Sequence, residues 1–371
     1  MQKPLLRRIQ AAALAAAAGA TSAGAPAADS PASTLSQVLA SSGITASGYV
    51  AASYYHSSGD NTYHQFDTSH DTFQLDQAAL QLAYQPKSGF GAVVDVIAGE
   101  DAKIVDAAES AGASAHPFDI LQGYAQYAAG PVTVQAGKFT TLAGAEVIAP
   151  TGNSNFSRSF LFFGEPLTHT GVRATYAITD EVSVIAGVNN GWNYTKVSYG
   201  SKTGEVGIAL TPNKLLSLTA QLYTGKDPVY AAERTLIDTV ATFNASPALS
   251  FVVSYDWGKQ QTSSATPAGL TGGDWEGLAG YVNYQLSSQW RVSVRAEYLD
   301  DKDGTTLLTG ARQNLKEGTV TLGYDPVASF ELRLEGRYDT SSESTFVKSL
   351  TPVALFGDNQ TEVAMQGVYR F

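Results

Sequence analysis

Phe330-Glu331-Leu332-Arg333-Leu334-Glu335-Gly336-Arg337-Tyr338 is the stretch that decides the fold. Its large apolar side chains all share one parity and its charges all share the other. A period of two belongs to a β-strand with an apolar and a polar face, whereas a helix would spread the charges around its axis. Rings stand at both ends of the apolar face, with aliphatic residues between them. Trp290-Arg291-Val292-Ser293-Val294-Arg295-Ala296-Glu297-Tyr298 repeats the arrangement. Aromatic rings bracketing a short aliphatic band suit a surface that crosses lipid and meets headgroups at each end.

Outward from these two strands, period-two alternation runs from Ile44 to Phe371. The connections alternate in length. Short turns are read at Pro86-Lys87-Ser88-Gly89, Gly130-Pro131, Thr179-Asp180, Thr211-Pro212-Asn213-Lys214, Ser246-Pro247, Ser287-Ser288-Gln289 and Asp325-Pro326, all from turn-forming residues. Between them lie longer polar stretches at 57–70, 101–117, 142–165, 191–202, 225–232, 259–273, 301–312 and 340–358. Seven short turns and eight long loops join sixteen strands. The expected fold is all-β, a transmembrane antiparallel barrel of sixteen strands with its short turns in the periplasm. Closure also removes the unpaired sheet edges that lipid cannot solvate.

Composition agrees. Charged residues make up 15% of the 371-residue chain, against about 25% in an ordinary soluble domain. Fifteen Phe and nineteen Tyr exclude a solvated disordered chain. After residue 20 no apolar run approaches the roughly 20 residues of a membrane-spanning helix. There is no cysteine, so disulfide and thiolate chemistry are absent.

Residues 1–27 read as a signal peptide: Lys3, Arg7 and Arg8 precede an Ala-rich segment, and Ala25-Pro26-Ala27 fits a cleavage site. Its removal takes away three positive charges and no acid, moving the formal net charge from −11 to −14. Such an acidic exported chain is no candidate for nucleic-acid binding. Residues 28–43 are not strand-like; Ser33 to Leu39 has the spacing of a short periplasmic helix. The barrel is expected over 44–371. Its last strand alternates Val363, Met365, Gly367, Tyr369 and Phe371, an ending that looks like the signal read by the barrel-assembly machinery.

Ala136-Gly137-Lys138-Phe139-Thr140-Thr141-Leu142-Ala143-Gly144-Ala145-Glu146-Val147-Ile148, then Asn153-Ser154-Asn155-Phe156-Ser157-Arg158-Ser159 and Thr168-His169-Thr170-Gly171-Val172-Arg173, resemble the OmpL-like β-barrel porin-2 family. Gly123-Tyr124-Ala125-Gln126-Tyr127 and Asn189-Asn190-Gly191-Trp192-Asn193 are similar to it as well. The likeness covers 44–371, with its distinctive residues in 120–195. It implies an outer-membrane channel in a Gram-negative bacterium and carries over no ligand residues.

Sixteen strands enclose a lumen too wide to be filled by wall side chains alone. The parity of the wall turns Arg173, Arg291, Arg295, Glu297, Glu331, Arg333, Glu335 and Arg337 inward, because each would cost about 2–4 kcal/mol on the lipid face at mid-depth. These charges either neutralise one another or filter ions. The third long loop, 142–165, carries Glu146, Arg158 and Glu165 with Phe156, Phe160, Leu161, Phe162 and Phe163. That apolar content is costly in water, so the loop is expected to fold into the lumen, its acids opposite the wall arginines, and to narrow the pore. The alternative is an external loop against a neighbouring subunit.

His56, His64 and His70 lie beside Asp60, Asp67 and Asp71 at no defined metal spacing, and a polar exposed loop accounts for them. Parity places no base and orienting acid near His169, so no catalytic triad is read and no enzyme is expected. No metal or other cofactor is assigned. The expected function is passive diffusion of small hydrophilic solutes or ions, in a homotrimer by analogy with sixteen-stranded porins and with outer-membrane lipid around it. The competing reading is a non-conducting structural or adhesive barrel acting through its external loops.

Overall fold

Strands β1 (Thr45–Ser57), β2 (Thr72–Tyr84), β3 (Gly89–Ala98), β4 (Phe118–Ala129), β5 (Val132–Thr140), β6 (Thr168–Ala177), β7 (Val182–Asn189) and β8 (Thr203–Leu210) form half of the sheet. The other half is β9 (Leu216–Asp227), β10 (Ala232–Ser246), β11 (Leu249–Gln260), β12 (Gly273–Gln285), β13 (Trp290–Asp301), β14 (Gln313–Val327), β15 (Phe330–Ser341) and β18 (Asn359–Arg370). These sixteen close into one antiparallel barrel when β18 pairs with β1. The computed structural model describes residue 39 and residues 41–197, 200–349 and 354–371. The signal-peptide reading, and residues 28–38 and 40 of the segment before the barrel, lie outside them; Leu39, Ser41 and Ser42 are helical.

The register follows the parity of the sequence. Leu332, Leu334 and Tyr338 of β15 are 39%, 53% and 51% exposed on the outer surface, while Arg333, Glu335 and Arg337 are buried inside. Outward Trp290 stacks on Tyr324 of the neighbouring strand at 4.4 Å, an aromatic pair at the short-turn end. The seam is tightened by Gly48, whose amide and carbonyl exchange hydrogen bonds of 2.9 Å with Phe371. A side chain at Gly48 would occupy the space of the Phe371 ring.

Three readings are corrected. Asp325-Pro326 is not a turn: both residues lie within β14, at a register irregularity between Tyr324 and Val327, where proline is tolerated because the ladder is already broken. The second long loop is not merely polar. It contains helix α1 (Glu100–Glu109), which buries Ala102 and Val105 against Ala79, Ile97 and Leu121 of β2, β3 and β4 and against Ile148, Phe162 and Leu167 of the third loop. The eighth loop contains a hairpin of β16 (Phe346–Ser349) and β17 (Leu355–Gly357), and its Phe346 packs with Phe160, Trp275, Leu299, Leu307 and Leu315.

Candidate functional site

The third loop leaves β5, enters the lumen and returns to β6. Its base is fixed where the Thr141 amide donates to the Leu167 carbonyl at 3.0 Å and the Leu142 amide to the Tyr223 hydroxyl at 3.1 Å. Asn153 organises the middle by accepting from the Val147 amide and donating to the Val147 and Ala149 carbonyls. Helix α2 (Phe160–Phe163) begins at Ser159, whose side chain accepts from the Phe162 amide. Of the apolar residues that argued for burial, Phe156, Phe160, Leu161 and Phe162 are 7%, 0%, 2% and 2% exposed, and Phe163 is half-buried.

Irregular backbone at membrane depth leaves N–H and C=O groups that must find partners. The charged wall supplies them. Arg291 donates to the Ser154 carbonyl at 2.7 Å, Arg295 to that of Ser157 at 2.8 Å, Arg333 to that of Pro150 at 3.0 Å and Arg337 to that of Arg158 at 2.6 Å. Two wall acids take the amides: Glu335 accepts from Phe156 and Ser157 at 2.6 and 2.9 Å, and Glu297 from Phe160 and Leu161 at 2.7 and 2.6 Å. Both signs of charge are therefore used on one wall, which explains why acids and arginines are interleaved along β13 and β15.

The same charges neutralise one another. Arg295 pairs with Glu317 at 2.7 Å and with Glu146 of the loop at 2.8 Å. Arg333 pairs with Glu331 at 2.9 Å and Arg337 with Asp339 at 2.8 Å, and Arg291 also reaches Glu331. Glu146 thus touches an arginine directly instead of facing it across open water. Arg158 turns back into its own loop, bonding the Val147, Ile148 and Phe156 carbonyls and lying over the Phe66 and Phe162 rings; burial pushes its guanidinium down despite Glu146. Arg173 belongs to a separate place, paired with Glu205 at 2.7 Å and lying over the Phe139 ring. Among the described residues Glu165 pairs with no arginine. It is brought to Asp238 and Asp256, and burial, then the charge of Asp238, holds its carboxyl well above the usual range.

The first loop reaches the same wall through His64. Exposure holds for His70 of the loop and for His56, which lies near the end of β1, both contacting Asp71; the expectation fails for His64, which is 4% exposed. Its ring bridges Asp67 at 2.5 Å and Asp339 at 2.8 Å. Burial and Arg337 disfavour the His64 cation, yet Asp67 and Asp339 outweigh them and raise its pKa. His64, Asp67 and Glu362 could gather a metal ion, but Arg337 already supplies positive charge there. His169 stacks on Tyr223 at 4.8 Å and meets the Gly191 carbonyl at 3.2 Å, which gives it a packing role. Glu317, Asp238, Asp256 and Glu205 were not singled out from the sequence; inward parity on their strands is the signal that marks them.

A sixteen-stranded barrel with a third loop bonded into its lumen matches one family over nearly the whole chain. The model described as beta-barrel porin-2, OmpL-like, matches residues 43–371. The chain belongs to that family. It is a porin channel of the Gram-negative outer membrane. Solved structures with the same fold include OmpT, an outer membrane protein of Vibrio cholerae, in a trimer form, with 10% identity, TM-score 0.62 and coverage of 88% of this chain and 99% of that one. The outer membrane channel DcaP of Acinetobacter baumannii has 14% identity, TM-score 0.59 and coverage of 88% and 97%. An anion-selective porin from Comamonas acidovorans has 12% identity, TM-score 0.60 and coverage of 88% and 99%. No curated protein matches the chain. Within this porin-2 member, the loop meets the wall at β13 and β15.

Proposed function

We propose that the porin passes small hydrophilic solutes or ions by passive diffusion and that the third loop, held on β13–β15, sets the aperture. The observation that carries this reading is the set of backbone carbonyls of that loop bound by the four arginines of β13 and β15, Arg291, Arg295, Arg333 and Arg337. A loop held this way has a fixed position, and a fixed loop gives a fixed cut-off in size. Glu146, Arg158, Glu165, Glu297, Glu331 and Glu335 serve the loop's position, and Arg173 with Glu205 lines the wall beside its base. Passive diffusion through a channel of this kind requires no catalytic step.

A homotrimer fits the trimer form of the Vibrio cholerae neighbour, and lipid fits the outward belt of Leu332, Leu334, Val363 and Met365. The strand ending in Phe371 is the element offered to the barrel-assembly machinery, and residues 1–27 are the export signal ahead of it. Planar-bilayer recording of the purified protein tests the channel. Discrete conductance steps of uniform size are expected. A folded barrel that never conducts would overturn this reading in favour of an adhesive or structural role for the external loops.

A further inference from the structure

Asp238 on β10 and Asp256 on β11 stand directly opposite each other in antiparallel register. Like charges in that position destabilise a strand pair, and here the residues are 0% and 1% exposed, so water does not screen them. None of the ion pairs among the described residues includes either one; Arg234, on the same strand, is committed to Asp227.

A third carboxyl arrives from a different segment. Glu165 of the third loop is 6% exposed and points into the aspartate pair, with ligand oxygens of all three residues within 4.8 Å of one another. Room for it is made by Gly144 at φ +82°, where a side chain would overlap the Glu165 carboxylate. The Gly144 amide faces Asp238, yet among the described residues no donor completes a hydrogen bond to either oxygen of Asp238 or Asp256, or to Oε2 of Glu165. The other charges that act most on Glu165, Glu146 and Glu297, are also acids.

Buried carboxylates are stable when paired or when they coordinate a metal. Calcium takes six to eight oxygens at about 2.3–2.6 Å, so two ligands of one ion lie no more than about 5 Å apart. Its tolerance of irregular geometry suits three carboxyl groups from three separate segments better than the strict octahedron of magnesium.

We propose that Glu165, Asp238 and Asp256 form a calcium site that ties the third loop to the β10–β11 wall. The loop is then held from both sides, by arginines on β13–β15 and by a cation near its return to β6. The site stands on its own geometry and rests on the aperture reading only for its effect on conductance.

Full-length mature protein, refolded in detergent and stripped with EDTA, is titrated with calcium chloride by calorimetry. One ion per chain is expected. Glu165→Gln, which leaves every strand intact, weakens binding about tenfold or more, the scale on which charged-ligand count tunes calcium sites. Asp238→Asn with Asp256→Asn abolishes it. Heat-modified mobility on gels checks that each variant is folded, and Glu165→Gln alone carries the test if the double variant does not fold. Equal calcium binding by wild type and Glu165→Gln, or no binding by wild type, overturns the site and leaves carboxyls sharing protons. With calcium bound, chelation is expected to raise conductance; binding without any such change sustains the site and overturns the aperture reading.

Discussion

Arg295 of β13 holds Glu146 of the third loop at 2.8 Å, although the loop is rooted on β5 and β6 and β5 lies directly across the ring from β13. The loop therefore traverses the lumen. Arg295 is 0% exposed and also serves Glu317 and the Ser157 carbonyl. Removing one partner of a buried ion pair typically costs about 3–5 kcal/mol, because it strands the other charge. Arg295→Ala is expected to lower the thermal unfolding midpoint and to raise mean single-channel conductance as the loop loosens. Unchanged conductance in a folded variant would show that this contact does not set the aperture.

Deleting Gly152 to Ser159 removes the carbonyls that serve Arg291, Arg295, Arg333 and Arg337, with the exception of Pro150. Single-channel conductance should rise and become noisier. Arg158→Glu should act in the same direction, since that side chain bonds three carbonyls of its own loop. Charge reversal there is expected to disturb the loop's shape before it shifts ion preference, and reversal potentials measured beside conductance separate the two effects.

Trp257 and Trp290 lie on the outward parity of β11 and β13, whereas Trp192 and Trp275 pack inside at a ring separation of 6.4 Å. Fluorescence in bilayers of brominated lipid reports which rings touch acyl chains. Quenching should vanish in Trp257→Phe with Trp290→Phe and persist in Trp192→Phe with Trp275→Phe. The opposite pattern would invert the register.

His64 gives the first loop a pH dependence. Its pKa is raised in the folded state through Asp67 and Asp339, against burial and Arg337. The stabilisation is thus complete below the unfolded value of about 6.5 and is lost as pH rises through the higher folded value. Asp67, buried but held by His64 and Arg337, falls to about 2, so its part is present above the ordinary carboxylate range and fades as pH drops towards 2. Proteolytic nicking of the first loop should increase on the alkaline side. His64→Gln should nick readily at every pH and lose that dependence.

Strand register was legible because lipid and lumen impose opposite polarity on alternate residues, as in 330–338. Asp325-Pro326 misled because its turn chemistry serves equally at an irregular strand end. Helix α1 left a faint trace: Glu100 and Asp101 open its first turn, but Gly99 gives no side-chain cap and its apolar face is short, Ala102 and Val105 buried with Ile104 and Ala108 packed beside them. The loop's burial could be read from its phenylalanines. Its partners could not, since Glu146 and Arg295 meet across the lumen and parity sets direction, not distance. Glu165 shows this most clearly, having been expected near arginines and lying among aspartates.

The closure of β18 on β1 has a kinetic consequence. Every other junction in the ring joins neighbours in sequence or strands bridged by one loop, whereas Tyr49 pairs with Arg370 across nearly the entire chain. Bringing such distant segments together carries the largest loop-closure entropy in the molecule, and non-local pairing is what slows the folding of sheet proteins. The seam is then the final event of assembly and the place where Gly48 and Phe371 act as a clasp. A bulky residue at Gly48 should leave hairpins free to form and stall the chain as an open sheet with two unpaired edges.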